Sequence, residues 1–346
     1  MKRIIMVAKR DKNIEYIRAI ACVGVVIFHT FKGAHAVYPD MSDQVRFLCI
    51  AIVNNLRWCV PVFLMITGYL LLDPEKNITL SKIGRYICRA AVVLAVFGTG
   101  FALMELVFNQ KTVTLLMLPQ AAMNMLTGKT WDHMWYLYTL IVLYCFLPLM
   151  RAAVCALKTP MLIFSCAVMA AVTSVLPTLE AFGLKLGFPT DMVSVYILYM
   201  LLGYLLKNRL IKISTKFAAA GLIISTLFLG DMAFLSELTE NTVDKILISH
   251  ASAAVLIQSV CIFSLMIHIK ESENKRMDRA VLSFANASFG VYILHPFFIN
   301  LFYKALGFSP EKYGVAVMLL VLVLTLMLTY VTVVLIKKIS VVRKFL

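Results

Sequence analysis

The sequence predicts an all-α fold: a polytopic integral membrane bundle of about ten transmembrane helices. Three observations predict it. Of 346 residues, 61% are hydrophobic and 15% charged, with a mean hydropathy of +0.88; a soluble chain of this length carries far more charge. Apolar runs recur at close to the ~20 residues that cross the hydrocarbon of a bilayer. Lysine and arginine gather in alternate connecting segments, the pattern that orients membrane helices. The runs are continuous, unlike the alternating segments of a β-barrel. No polar stretch is long enough to enclose a second core, so residues 1–346 are expected to form one domain.

Taken in order, the first run (14–32) holds Arg18 and His29. The second (50–72) begins among Asn54, Asn55 and Arg57, which read either as an acceptor-binding patch or as a polar helix start. The third (86–108) opens on SKIGRYICRAA, with Arg85 and Arg89 one turn apart and Lys82 before them, and closes near Glu105. Segment 109–132 is long, moderately apolar and split by Pro119, which suits a re-entrant or interfacial helix. The fourth run (133–154) starts at His133, between Trp131 and Trp135. Runs at 160–180, 192–207, 216–236, 249–269, 282–304 and 312–336 complete the set; 192–207 is short. Ala34-His35-Ala36 resembles a signal-peptide cleavage site, but Glu15 and Arg18 intrude on the n/h boundary, so the first run is read as retained.

With the N-terminus in the cytoplasm, every inner segment is basic, the one with Lys207, Arg209, Lys212 and Lys216 included. The loop with Asp231, Glu237, Glu240 and Asp244 is then outside. The expectation is a multi-pass protein of the cell membrane with both termini cytoplasmic. The net charge of +15 records that orientation and implies no nucleic acid partner. The eight cysteines form no C-x-x-C and no Cys/His zinc spacing, so no metal is expected. A homo-oligomer is left open.

Ionisable groups inside such runs are costly and mark function. Arg18 and His29, eleven residues apart, share a helix face and lie roughly 16 Å apart along the axis. They are expected to line one conduit through the bundle. Arg85 and Arg89 suit phosphate binding, against the alternative of snorkelling side chains. His133, His295, Glu105 and Tyr292 are candidates for acceptor contact or acid/base support. For His133 the competing role is a place in an aromatic belt, and for His295 a polar residue at the Pro296 kink. Glu105 could orient a histidine or sit at the interface. His35, His250 and His268 read as loop or interface residues.

These residues resemble a known pattern. Arginine, ten residues, then histidine in the first run is similar to the R-x10-H signature of the membrane acyltransferase-3 family. MWYLYTLIVLYCFLPLMR resembles that family's aromatic fourth span, and SFGVYILHP its late SFGIYLIHP element. The resemblance implies an acyltransferase of the O-acetyltransferase type. Such an enzyme moves an acyl group, commonly acetyl, from cytoplasmic acyl-CoA to a hydroxyl of an envelope glycan or lipid-linked sugar. It makes His29 the catalytic imidazole, Arg18 its paired basic residue, and the third-span cations the donor-binding site. The family often shows arginines three apart there, so Lys82/Arg85 and Arg85/Arg89 both remain candidate pairs. A fused hydrolase-like domain is not seen, so the chain is expected to act alone or hand its acyl group to a partner. Direct transfer and an acyl-histidine intermediate are both open. The rival reading is a transporter of a small solute, such as an amino acid, or of a lipid-linked sugar; the broken helices and repeats that would favour it are not evident.

Overall fold

The computed structural model describes residues 11–346, except residue 112 and residues 185–186, 191–192, 239–244 and 269–273; of residues 236–238 the backbone alone is described. Glu240 and Asp244 of the acidic loop, the Glu237 side chain and the basic residues of 1–10 therefore lie outside the described residues. The chain is 79% helical, with no strand among the described residues, so the bundle is all-α as expected.

Helix α1 (Lys12–Val37) is unbroken. α2 (Asp43–Asn55) and α3 (Cys59–Leu72) form one run bent at residues 56–58. Pro61 offers no N–H to the Arg57 carbonyl, and the helix is interrupted just ahead of it. α4 (Leu80–Val93) continues through a π-helical turn, Leu94–Gly98, into α5 (Thr99–Gln110). A π turn leaves the regular carbonyl ladder, and the Gly98 carbonyl accepts instead from the Thr130 hydroxyl at 2.8 Å. The helix expected within 109–132 is α6 (Met117–Leu126), which packs on α5. α7 (Trp135–Ala156) follows a 3-10 turn at Asp132–Met134. α8 (Thr159–Ala170) passes through a second π turn into α9 (Leu176–Ala181). Then come α10 (Val195–Lys207), α11 (Thr215–Leu238), α12 (Ala253–Met266), α13 (Lys275–Asn300), with its π turn Leu301–Ala305, and α14 (Pro310–Ile336).

Among the described residues, 8 helical runs are long and apolar enough to cross a membrane. α10 and α12, at 13 and 14 residues, fall short of that length and are the counterparts of the expected spans 192–207 and 249–269.

The bundle is built around α1, which packs against α13, α2, α3 and α14. α3 and α10 cross backbone to backbone. A Cβ on Gly68 would lie 1.8 Å from the Met200 carbonyl oxygen, and one on Gly203 2.0 Å from that of Met65. Without a hydrophobic drive between helices in lipid, such close approach supplies the dispersion contact that holds them. At the end of the bundle where α1 begins, the Asp11 carboxylate accepts from Lys207 at 2.9 Å and from the Tyr69 hydroxyl at 3.2 Å. Burial raises the Asp11 carboxyl; the Lys207 bond and charge and the Tyr69 bond outweigh it and leave the group below its usual value. Arg151 donates to the Leu71, Asp73 and Lys76 carbonyls at 2.5, 2.9 and 2.7 Å. It thereby satisfies acceptors that the end of α3 leaves exposed. This is called the basic end below; His29 lies toward the opposite, histidine end.

Candidate active site

At the basic end, Arg18 of α1 and Arg89 of α4 face a cavity of about 320 Å³ whose walls include Tyr86, Tyr136, Tyr144 and Tyr292. Arg18 donates to Glu15 at 2.8 Å, an i,i+3 pair that holds the guanidinium at the wall. Arg89 lies over the Phe289 ring at 5.0 Å and donates to the Phe345 and Leu346 carbonyls at 2.8 and 3.0 Å. Lys337 donates to the carbonyl of Asn286, another wall residue, at 2.7 Å. Burial and the nearby Arg89 charge hold the Lys337 amine below its usual value. Of the three candidate donor-site cations, only Arg89 lines this cavity. Arg85 lies outside its wall, and Lys82 donates to the Asn77 carbonyl at 2.5 Å.

At the histidine end, a second cavity of about 230 Å³ is walled by His29, His133, Arg57, Lys32, Asp132 and His250, among others. A third, of about 190 Å³, shares His29, Lys32, Asp132 and His133 with it and adds Glu105 and Trp131. His29 thus stands in the wall common to both, and among the described residues it makes no hydrogen bond. The imidazoles of His29, His133 and His295 form a triangle, with ring centroids 5.0 Å apart for His29–His295, 5.6 Å for His133–His295 and 6.3 Å for His29–His133.

Each supporting histidine is fixed by a backbone carbonyl. Pro296 has no N–H, so the Tyr292 carbonyl lacks its helical donor. His295 Nδ1 takes that place at 2.8 Å and also contacts the Val291 carbonyl at 3.1 Å. A carbonyl only accepts, so Nδ1 carries the proton. Nε2 is buried and without a partner among the described residues. The His-Pro dipeptide therefore repairs its own kink and presents one free nitrogen. His133 Nε2 lies 3.1 Å from the Ile293 carbonyl and is protonated by the same logic. His133 is 2% exposed. It is tucked under α13 by the 3-10 turn, and does not stand in an aromatic belt.

Glu105 accepts from Trp131 Nε1 at 3.2 Å, while Trp131 stacks on Phe101 at 4.3 Å. The carboxylate is spent on the indole, not on an imidazole. Asn55 accepts from Gln258 at 3.1 Å and Asn54 is buried, so of the polar trio only Arg57 reaches a cavity wall.

Arg18 and His29, expected to line one conduit, line two adjoining cavities. Tyr292 is the one residue common to the walls of the Arg18 cavity and the Arg57 cavity. It is 7% exposed, and its hydroxyl donates to the His133 carbonyl. Its ring packs edge-on against Tyr136, with centroids 5.5 Å apart. The phenol thus stands at the boundary between the cavity of Arg18 and that of His29, two groups that the sequence places on one helix face.

Several wall residues went unrecognised in the sequence. Lys32, ion-paired with Asp132, follows His29 by one turn, and that spacing could have found it. Tyr136 and Tyr144 are two turns apart on α7. His250, read from sequence as a loop or interface residue, lies in the wall of the second cavity, 5.3 Å from the Trp135 ring. Its place depends on α12 packing beside α3, which no local pattern reveals.

No curated protein and no solved structure matches the chain significantly. A family model described as an acyltransferase domain, acyltransferase-3, matches residues 11–337. It takes in the histidine-lined cavity, all of the arginine-lined cavity but Leu346, and nearly every helix, and the chain belongs to this family of membrane acyltransferases.

Proposed function

We propose that the chain is a membrane O-acyltransferase that moves an acyl group, acetyl, from cytoplasmic acyl-CoA to a hydroxyl of a cell-envelope carbohydrate. In this reading the basic end and both termini face the cytoplasm, in keeping with the positive-inside bias. The observation that carries it is His29: an imidazole without a hydrogen-bond partner among the described residues, open to two cavities, in a chain of an acyltransferase family.

Acyl-CoA enters the first cavity with its phosphates against Arg89 and Arg18, whose guanidinium groups suit bidentate phosphate contact. The pantetheine arm runs toward the histidine end, and the Tyr292 ring swings aside to let the thioester reach His29. The acceptor, an envelope glycan or lipid-linked sugar, brings its hydroxyl to the same imidazole. The hydroxyl oxygen attacks the thioester carbonyl while His29 takes its proton; the carbon–sulfur bond breaks, and the departing thiolate takes that proton from the imidazolium. The ester goes to the acceptor and free CoA returns to the first cavity.

Replacing His29 with Ala and measuring acyl transfer in membranes tests this. General acid–base catalysis of this kind is worth about 10²–10⁴ in rate. A variant with full activity removes His29 from the mechanism. Acetyl-CoA should also raise the unfolding temperature of the purified protein, since a ligand that binds only the folded state stabilises it; the absence of any shift would favour transport over transfer.

A further inference from the structure

We propose that the cavity beside His29 binds an acidic group, a carboxylate or phosphate carried by the acyl acceptor, and that Arg57 is the residue that holds it. The inference deepens the acyl-transfer reading and rests on it.

Arg57 sits in the short turn between α2 and α3. The turn aims its side chain into the cavity that His29 also lines. Its guanidinium carbon is 5.9 Å from the ring centre of Phe28, the residue before His29. Its Nε is buried without a partner. Among the described residues, Arg57 forms no ion pair and no hydrogen bond. The carboxylate in the cavity wall, Asp132, is already engaged by Lys32. The wall also carries His29, His133 and His250, neutral or cationic groups that cannot offset the charge.

A charge withdrawn from water is costly unless it is paired. An arginine cannot escape by losing its proton. Other part-buried cations of this protein are answered by protein groups: Arg18 by Glu15, Arg151 by three carbonyls, Lys207 by Asp11. Arg57 has the Phe28 ring face but no anion and no hydrogen-bond acceptor among the described residues, and it faces the space where an acceptor must stand for His29 to take its hydroxyl proton. The guanidinium fork matches a carboxylate or phosphate. An acidic acceptor completes the charge, and the fork fixes the distance between its anionic group and the hydroxyl presented to His29. A neutral sugar would leave the cation unpaired.

The test uses the purified full chain in detergent and thermal unfolding. The probes are glucuronate, glucose 1-phosphate, glucose, inorganic phosphate and acetyl-CoA, each at millimolar concentration. The expected result is that at least one of the two acidic sugars raises the midpoint by a few degrees and glucose leaves it in place. Arg57→Gln should abolish the acidic-sugar shift and keep the acetyl-CoA shift, which also shows that the variant is folded. Equal shifts with glucose and both acidic sugars, no shift with either acidic sugar, or a shift that survives in Arg57→Gln would overturn the proposal. Inorganic phosphate reproducing the whole shift would identify an adventitious ion only, and would equally overturn it. Loss of the acetyl-CoA shift from the wild-type protein strikes a different target, the donor half of the acyl-transfer reading.

Discussion

The Tyr292 hydroxyl donates a hydrogen bond to the backbone carbonyl of His133, and this bond anchors the one side chain that lines both the cavity of Arg18 and that of His29. One end of the contact lies on α13, the other on the turn that opens α7. Swinging the phenol away therefore breaks a bond to the segment that carries one of the three clustered histidines. Access between the compartments and the placement of His133 are coupled through a single side chain.

Removing that side chain should uncouple the compartments. Tyr292→Ala is expected to let water reach a bound thioester, so acetyl-CoA hydrolysis without acceptor rises while transfer to acceptor falls. Tyr292→Phe keeps the ring and loses only the hydroxyl, leaving a buried carbonyl unpaired at a cost of about 1–3 kcal/mol. Its transfer-to-hydrolysis ratio should stay closer to wild type than that of the alanine variant. Equal ratios in all three proteins would show that the ring partitions nothing.

Arg89 separates itself from its neighbours. It lines the first cavity, whereas Arg85 and Lys82 do not, and Lys82 bonds a loop carbonyl. Arg89→Ala should raise the KM for acyl-CoA by about tenfold or more, on the scale of one charge-assisted bond of about 1.5–3 kcal/mol. Arg85→Ala and Lys82→Ala should change it by less than about threefold, as exposed charges do. A larger effect from Arg85 than from Arg89 would reverse the assignment.

The His295–Pro296 pair is open to a double-mutant cycle. His295→Ala strands the Tyr292 carbonyl and should cost about 1–3 kcal/mol, read as a lower unfolding midpoint. Pro296→Ala restores a backbone N–H one turn on from that carbonyl. Adding it to His295→Ala should recover part of the loss. Strict additivity of the two changes would mean that the imidazole and the missing N–H do not compete for one acceptor.

Asp11 sets a pH dependence. Its folded value lies below the ~3.9 of an unfolded aspartate because Lys207 and Tyr69 hold the ionised form. A depressed carboxyl stabilises the fold above the unfolded value and loses that contribution as pH falls through the folded one. The difference in unfolding midpoint between wild type and Asp11→Asn should therefore be constant near neutrality and shrink under acid. A gap that widened on acidification would contradict the contacts at this end of the bundle.

Much of the fold was legible before any coordinates. Ten apolar runs each correspond to a helix or to two helices in succession, because backbone in lipid must satisfy its own hydrogen bonds and sequence length then sets the span. The two short helices α10 and α12 are where that rule is weakest, since their burial comes from neighbouring helices such as α3. His29, Arg18 and Arg89 were recognisable for a related reason: an ionisable group in an apolar run is too costly to be incidental. His250 carried no comparable mark, because it lies in a loop; Lys32 carried a weaker one, its one-turn spacing from His29, because a lysine near a helix end is otherwise ordinary.

By itself, then, the chain's sequence determined the helices, the family pattern and the chemistry available on each helix face, all of which depend on residues close together along the chain. Tertiary packing decided which of those faces meet. Arg18 and His29 share a side of α1 by helical periodicity, yet a tyrosine 263 residues beyond His29 in the numbering separates their cavities. Arg57 stands without a carboxylate among the described residues because every candidate nearby was claimed by another cation or by an indole. Such outcomes follow from where distant helices cross, at contacts like that of Gly68 with Met200, and helical periodicity does not encode them.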